Sequence, residues 1–501
     1  MYKLADLGIT DQLWWLFKNW LSDSSCCILL NGDLSDAFSI SRSIKQGGML
    51  SMFFYVASNY DIHDFVNNEN TGLKVNGVDI SSPTLADDTV LLSNKVDGLN
   101  VMINKAFLYS RMWRIIFSET KTKCMVFGET KYKNEINMCK RKWYMGTKSI
   151  EEVSHIIHVG NKLCSYNSTK ERTDDVCKKG YTLLAGLTAI GMKSNMLSPT
   201  TSSTLWQKVC IPSILFSSEV WGKLNKTQTN KLEQLQVHVA KRVQGLHWRT
   251  HNEIARGMLG WFTVEGYINY KKLMFIHKLL SLSDENLCKT IFIAKADNTD
   301  DNSITSDLIN VCKHYDLCNE TTLVNDISAM SKISWKSRVK SAIYHKENVK
   351  WINGLNEKAD SSRLLNVQHN LKVNNIYNVI RRNPHSQKEL LMLARAMSSP
   401  VSDYVSICNM CQRESNDGLE HFLMYCTKLN GLREEMWEEL INTHDVETSM
   451  GLFSLPDEDI LNIFLSGDWV TEHVTLAASD HCICTVAQTF KHMLKMSQLY
   501  L

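Results

Sequence analysis

The sequence predicts a mixed α+β chain, mainly α, with its small sheets gathered near the start. Three observations predict this. Two Asn-Gly pairs, Asn31-Gly32 and Asn76-Gly77, mark tight hairpins in the first hundred residues. From about residue 176 apolar residues recur at helical spacing with few breakers. Breakers are scarce throughout: 23 Gly and 6 Pro in 501 residues, where average usage is about 12 %. Collagen-like, low-complexity and largely disordered readings are thereby excluded.

The elements follow in order. Residues 11–21 read as a helix with Leu13, Leu16, Phe17 and Trp20 on one face, and Trp14, Trp15 and Trp20 read as core. Residues 26–30 and 36–44 read as strands around Asn31-Gly32. Asn76-Gly77 joins LKV to VDI in a second hairpin. In SPTLADDTVLLS, residues 82–93, apolar residues flank a central Ala-Asp-Asp, as in strand–turn–strand. Residues 97–114 form an amphipathic helix through Leu99, Met102, Ile103, Ala106, Phe107, Ser110 and Trp113. Lys123 to Phe127 is a strand ending at Gly128, and His155 and His158 fall on a further strand. Long helices are expected over 225–248 and 266–283, a linker at 296–306, and helices without a motif over 306–400.

The chain length admits about three domains, and 44 % hydrophobic with 22 % charged residues is ordinary globular composition. No run of about 18 apolar residues exists, so no membrane span is expected. The start lacks a basic–apolar–small pattern, so no secretion is expected. Fifteen scattered cysteines then suggest a reducing compartment rather than a disulfide framework. Cys482 and Cys484, beside His481, lack a second ligand pair and read as core thiols.

The formal charge of +2 conceals a polarity. Residues 1–100 carry 6 Lys and Arg against 12 Asp and Glu, a net of −6. Residues 101–180 carry 16 against 8, a net of +8, and residues 201–280 carry 11 against 4, a net of +7. Such a distribution suits a metal site beside a phosphate-binding surface. Ordinary variation along a chain also produces it.

The pair Asp87-Asp88 sits where a turn would choose Gly or Asn, and adjacent carboxylates repel. They make sense if a divalent cation neutralises them. Mg²⁺ takes hard oxygen ligands and serves phosphoryl transfer. A solvated turn is the plain alternative.

SPTLADDTVLLS followed by WRIIFSETKTKCMVFG resembles the palm of non-LTR (LINE-type) retrotransposon reverse transcriptases, which carry Ala-Asp-Asp on a β-hairpin and then Lys-Thr or Lys-Ser before an apolar strand. RSIKQGGMLSMFF, residues 42–54, is similar to that family's nucleotide- and template-contacting segment. KWYMGTKSIEEVSHIIHVG, residues 142–160, looks like its primer-holding strands, and ILFSSEVW with the helices to about 283 resembles the region after its palm. The resemblance covers about residues 1–285 and the C-terminal Cys/His cluster taken up below. It implies that Asp87 and Asp88 bind Mg²⁺, that Lys121 assists pyrophosphate departure, and that Arg42, Gln46 and Gly47 contact nucleotide and template. The parent reaction would be RNA-directed DNA polymerase activity, nucleotidyl transfer to a primer 3′-OH.

Departures from the family pattern bear on activity. The family's first catalytic carboxylate precedes a Leu-Gly-Ile helix, and here Leu7-Gly8-Ile9 lies almost at Met1. Asp33 and Asp36 superficially resemble that motif but follow the helix, and are rejected. Leu85 replaces an aromatic residue, Ser43 a Gly and Met52 a Pro. With one metal-bridging carboxylate and the fingers missing, little or no polymerase activity is expected from this chain alone.

Cys408-x2-Cys411-x9-His421-x4-Cys426 is the second candidate. Three thiolates and an imidazole make a closed tetrahedral set, which reads as structural Zn²⁺. Scattered buried cysteines are the alternative. LINE-type proteins carry a similar Cys-Cys-His-Cys cluster near the C-terminus, and EHFLMYC, residues 420–426, resembles it. The implied role is nucleic-acid binding, with Tyr425, Arg413 and Lys428 for stacking and phosphate contacts. A fold staple is the other reading.

The expected organisation is a partial palm over 1–165, a helical thumb-like region over 166–290, a linker and helical connector over 291–400, a zinc knuckle over 401–440 and a helical tail over 441–501. The expected cofactors are Mg²⁺ and Zn²⁺. The expected partners are an RNA template and a DNA primer or target, in a nuclear or cytoplasmic ribonucleoprotein. The alternative function is a non-catalytic nucleic-acid-binding remnant or a transposable-element fossil.

Overall fold

Asn31 and Gly32 both take positive φ, 52° and 98°, and so do Asn76 and Gly77, 50° and 82°. Both turns thus follow the right-handed strand twist that Asn-Gly favours, and both expected hairpins form. They belong to a computed structural model that describes all residues except 23, 41–46, 68–70, 131–132, 134–136, 139, 167–168, 297–302, 318–322, 358–361, 399–406, 416, 470–473 and 498–501. Arg42, Gln46, the expected strand end at 41–44 and much of the 296–306 linker therefore lie outside the described residues. The chain forms two units: residues 1–167 with 284–295, and residues 168–283 with 296–501.

In the first unit α1 (Tyr2–Asp6) and α2 (Asp11–Leu21) precede two strand pairs. β1 (Ser25–Cys26) pairs with β4 (Phe38–Ser39), and between them β2 (Leu29–Leu30) pairs with β3 (Asp33–Leu34). The expected burial of α2 is not found. Phe17 is buried, edge-to-face on Phe54 at 5.0 Å, whereas Leu13, Trp15, Leu16 and Trp20 are exposed. The helix rests on one edge only, through the small core of Leu4, Phe17, Phe54 and Ala57. Trp14 is half-buried, its indole N–H donating to the Met1 carbonyl at 3.3 Å.

Helices α3 (Ser51–Asn59) and α4 (Ile62–Val66) lead to two hairpins, β5 (Lys74–Val75) with β6 (Val78–Asp79), and β7 (Thr84–Leu85) with β8 (Asp88–Thr89). α5 (Val96–Trp113) then organises the unit. Its Met102, Ala106 and Tyr109 pack on Ile62 and Val66, while Ile103 packs on Cys124, Trp143 and Ile150. Those three belong to a sheet ordered β10 (Trp143–Met145), β11 (Lys148–Glu152), β9 (Lys123–Cys124), with β9 and β11 parallel. β9 ends at Cys124, not Phe127, because β11 ends at Glu152 and leaves no partner beyond it. β12 (His155–His158) and β13 (Asn161–Cys164) form a last hairpin.

A buried cation ties the chain start to this scaffold. Lys3 Nζ donates to Ser58 O at 2.7 Å, to Asp61 at 2.5 Å and to the Tyr109 hydroxyl, and it lies 3.9 Å from the Trp113 ring. Burial works against ionisation of Asp61, but the Lys3 and Tyr109 hydrogen bonds outweigh it and hold the carboxyl below its usual range.

The second unit is helical. α6 (Thr169–Ala189) packs on α8 (Lys226–Gln244), with α7 (Pro199–Leu205) between them in sequence. α8 starts at a reciprocal Asn225/Gln228 capping box and stops where Gly245 turns left-handed at φ 66°, four residues before the expected end. α9 (Asn252–Met258) and α10 (Val264–Leu280) follow. α11 (Leu287–Ala296) lies largely in the first unit. α12 (Ile304–His314), α13 (Leu323–Ser328), α14 (Lys332–Asn356), α15 (Ser362–Val367), α16 (Asn375–Arg382) and α17 (Gln387–Ser398) follow, so the described residues of 306–400 are mostly helical, as expected. Gly257 on α9 gives the Trp351 indole room to lie against the backbone and to donate to Glu253 O at 3.0 Å.

The N-terminus of α10 is held by acids from two other helices. Glu347 of α14 accepts from the Thr263 N–H at 2.6 Å and its hydroxyl at 2.8 Å, and Glu233 of α8 accepts from the Val264 N–H at 2.5 Å. Their carboxyl oxygens take up N–H groups that the first turn of a helix leaves without a partner. The C-terminal helices are α18 (Asn430–Thr443), α19 (Val446–Phe453), α20 (Asp457–Ser466) and α21 (Leu476–Ser497). Cys482 and Cys484 are buried on α21, as expected of core thiols, and burial pushes Cys482 up to about 12. Among the described residues no helix is long and apolar enough to cross a membrane.

Candidate metal centre

Cys408 and Cys411 are presented by a short hairpin. Ile407 bridges Glu414, Cys408 N–H donates to Arg413 O at 2.9 Å, and Gln412 N–H donates to Cys408 O at 2.9 Å with Gln412 left-handed at φ 58°. A side chain at that φ is uncommon and marks a tightly specified turn. Burial disfavours a charge on Cys408. The backbone N–H groups of Cys411 and Met410, with the thiols of Cys411 and Cys426, outweigh burial and hold its thiol below the ordinary range. N–H groups gathered on a sulfur favour the thiolate, the form that ligates metal.

His421 and Cys426 come from the opposite side. Asp417 caps a helical turn by accepting from the Leu419 and Glu420 N–H groups at 2.9 and 3.2 Å, and Arg363 pairs with Asp417. From His421 to Tyr425 the turn is a π-helix, closed by Cys426 N–H donating to His421 O at 2.7 Å. The wider turn has a reason. In an α-helix residues five apart point about 140° away from each other, whereas an i→i+5 turn brings them to one side. His421 and Cys426 do come from one short helical segment, and its π form lets both face the hairpin. Buried Arg433 satisfies the carbonyls this leaves open, donating to Phe422 O at 3.1 Å and to Cys426 O.

The four ligand atoms lie within 4.8 Å of one another. Cys408 Sγ is 3.8 Å from Cys426 Sγ, and Cys411 Sγ is 3.2 Å from His421 Nε2. With Zn–S bonds of about 2.3 Å a tetrahedral ion spaces two sulfurs by about 3.8 Å, so the donor set fits such an ion. Burial, then the Arg433 and Arg413 charges, lower His421 and keep its ring in the neutral ligating form. Burial pushes Cys426 up to about 11 in the metal-free chain, with the neighbouring thiols adding to it. Three of the four ligands are buried, and Leu419, Phe422, Leu423 and Leu429 around them belong to the main core of the second unit. Arg413, Tyr425 and Lys428 are exposed at its rim, with the Tyr425 hydroxyl donating to Asp457 at 3.0 Å. Residues 401–440 carry 3 Lys and Arg against 8 Asp and Glu, so the centre is not a basic surface.

The Asp87-Asp88 segment forms the expected hairpin. Ala86 and Asp87 make its two-residue turn, and Asp88 opens β8 opposite Leu85. Both carboxylates are exposed. Ala86 is left-handed at φ 54°, a conformation that costs a residue with a Cβ about 1–2 kcal/mol. Tyr55 of α3 is nearby: burial, then Asp87 and Asp88, push its hydroxyl up. Lys121 is exposed in the turn before β9, and among the described residues no hydrogen bond or ion pair joins it to either aspartate. Gly47, left-handed at φ 80°, is exposed, while Arg42 and Gln46 lie outside the described residues. Among the described residues no third His, Cys, Asp or Glu joins Asp87 and Asp88 in a metal-sized group.

Sequence reasoning missed Asp417, Arg363 and Arg433. Asp417, an N-cap residue before Gly-Leu-Glu, carried a readable signal. The two arginines carried none, because the partner of Arg363 is 54 residues away and the carbonyls that Arg433 meets are 11 and 7 residues away.

The fold and the centre define a mixed α+β, mostly helical protein with a buried Cys3His group able to hold a metal ion. Against known proteins, the chain matches no family model and no curated relative.

Proposed function

We propose that this chain is related to the reverse transcriptases of non-LTR retrotransposons and binds RNA and primer DNA, with Zn²⁺ at Cys408, Cys411, His421 and Cys426 as a structural clamp. One observation carries the reading: two adjacent, exposed carboxylates at the tip of a tight hairpin whose preceding Ala86 is strained. Backbone strain at such a tip is commonly retained for function. The parent activity is Mg²⁺-dependent nucleotidyl transfer, with Asp87 and Asp88 as ligands. With two carboxylates the site holds Mg²⁺ weakly, and this chain alone has little or no polymerase activity. The basic segments 101–180 and 201–280, rather than the acidic surroundings of the Cys3His centre, supply the phosphate contacts. The buried ligand set favours the staple role of the zinc over direct nucleic-acid contact.

Filter binding of single-stranded RNA over a salt series tests the binding half. The logarithm of affinity should fall linearly with the logarithm of salt, about 0.7 per phosphate contact; flat or absent binding sinks the reading. Primer extension with Mg²⁺ against Asp87→Asn tests the catalytic half. Extension equal to that variant is expected, and a clear excess would make the chain an active polymerase.

A further inference from the structure

Buried ring nitrogens without a partner are rare, and two occur together at a place the Cys3His centre does not use. His444 follows the last residue of α18, and His481 lies in the second turn of α21. Among the described residues, His444 Nε2 and His481 Nδ1 are both shut off from solvent with no hydrogen-bond partner. The two rings are 5.3 Å apart, centre to centre, at 82°. A nitrogen buried without a partner costs about 1–3 kcal/mol, so two at one spot ask for a common partner.

The chemistry of the donors says which. Metal–nitrogen bonds of about 2.0–2.1 Å place two imidazoles on one tetrahedral ion with ring centres on the order of 5 Å apart. The observed spacing fits. His481 turns its other nitrogen, Nε2, toward Glu439, 3.9 Å away, and Thr485 donates to that same carboxylate oxygen at 3.4 Å. A carboxylate behind the far nitrogen of a histidine is the usual way of orienting a ligating ring. Trp469 closes another side, edge-on to His444 at 5.9 Å. Burial and the His481 ring lower His444, so the neutral, ligating form prevails.

We propose that His444 Nε2 and His481 Nδ1 form a second metal site, selective for imidazole-loving divalent ions of the Zn²⁺, Ni²⁺ or Cu²⁺ class. Glu439 is its positioning residue. With only two protein ligands the site binds its ion more weakly than the Cys3His centre.

Equilibrium dialysis of the full chain against a series of free Zn²⁺ concentrations tests this. Wild type should take up two equivalents, and His444→Gln with His481→Gln should return it to one. Glu439→Gln should weaken the second equivalent about 10–100-fold. Uptake of one equivalent by wild type, or of two by the double variant, overturns the proposal. Co²⁺ supplies a readout in wild type, independent of whether the double variant folds. The second equivalent should add ligand-field absorption without thiolate charge transfer. Thiolate charge transfer from the second ion would assign it to cysteine and overturn the two-histidine site.

Discussion

Gly257→Ala probes how tightly the second unit is packed. A Cβ at residue 257 would lie 2.1 Å from Trp351 Nε1, 2.6 Å from its Cε2 and 2.9 Å from its Cζ2. Ordinary contact is about 3.5–4.0 Å, so the indole must retreat by about 1.4 Å. Trp351 is fully buried and cannot swing into solvent. Its retreat breaks the hydrogen bond to Glu253 O, which costs about 1–3 kcal/mol. Overpacking adds about 1–3 kcal/mol. Helix propensity returns at most about 0.8–1.0 kcal/mol, the interior difference between alanine and glycine, since residue 257 is next to last in α9. The net is a loss of about 3 kcal/mol. Urea unfolding followed by tryptophan fluorescence and circular dichroism reads it as a lower midpoint at unchanged slope. A midpoint equal to or above wild type would refute the reasoning, since propensity alone predicts that. Trp351→Phe removes the offending ring edge, so the double variant should lose less than the two single losses added.

Three further outcomes are expected. Burial pushes Glu233 up to about 7, despite Arg256 and the amides of Val264 and Glu265; the fold thus favours its protonated form. Stability from this group is full below the unfolded value of 4.5 and falls as pH rises through about 7, by up to about 3 kcal/mol. Urea midpoints should therefore show Glu233→Gln gaining on wild type between acid and neutral pH, and a constant gap would contradict it. Stripping metal with a strong chelator should cost the second unit several kcal/mol and lower its melting temperature, with Zn²⁺ restoring it and Cys426→Ser not restorable; melting unaffected by chelation would remove the metal from the fold. Ala86→Gly should relieve the left-handed strain and stabilise the first unit by about 0.5–1 kcal/mol in thermal melts, whereas a loss would mean that the alanine methyl is needed at the turn.

Short-range features were legible in the sequence. Asn31-Gly32, Asn76-Gly77 and the Ala-Asp-Asp hairpin form because turn chemistry acts over a few residues. α5 was legible from its apolar spacing, and the metal cluster from the Cys and His spacing. What failed depended on distant partners. α2 has an apolar face, but only Phe17 is buried, so periodicity alone overstated its burial. Strand 123–127 is cut short by where β11 ends, 28 residues later. The end of α8 was set by Gly245, a signal present but unread. The π-turn at His421–Tyr425 has no composition signal, because it is the facing hairpin that gives the extra residue a use.

The chain passes between its two units at 167–168, 283–284 and 295–296. The first unit is therefore not a continuous stretch: helix α11 returns to it after more than a hundred residues, and the Asn76 amide donates to Ala294 O at 2.6 Å. Neither unit can be excised by a single cut, and a fragment ending at 167 would expose the surface that α11 covers. Added as a separate peptide, residues 284–295 would work as a complementing piece. Deletion or recombination within this gene is constrained in the same way, since a breakpoint between 168 and 283 divides a body that the polypeptide has not yet finished building.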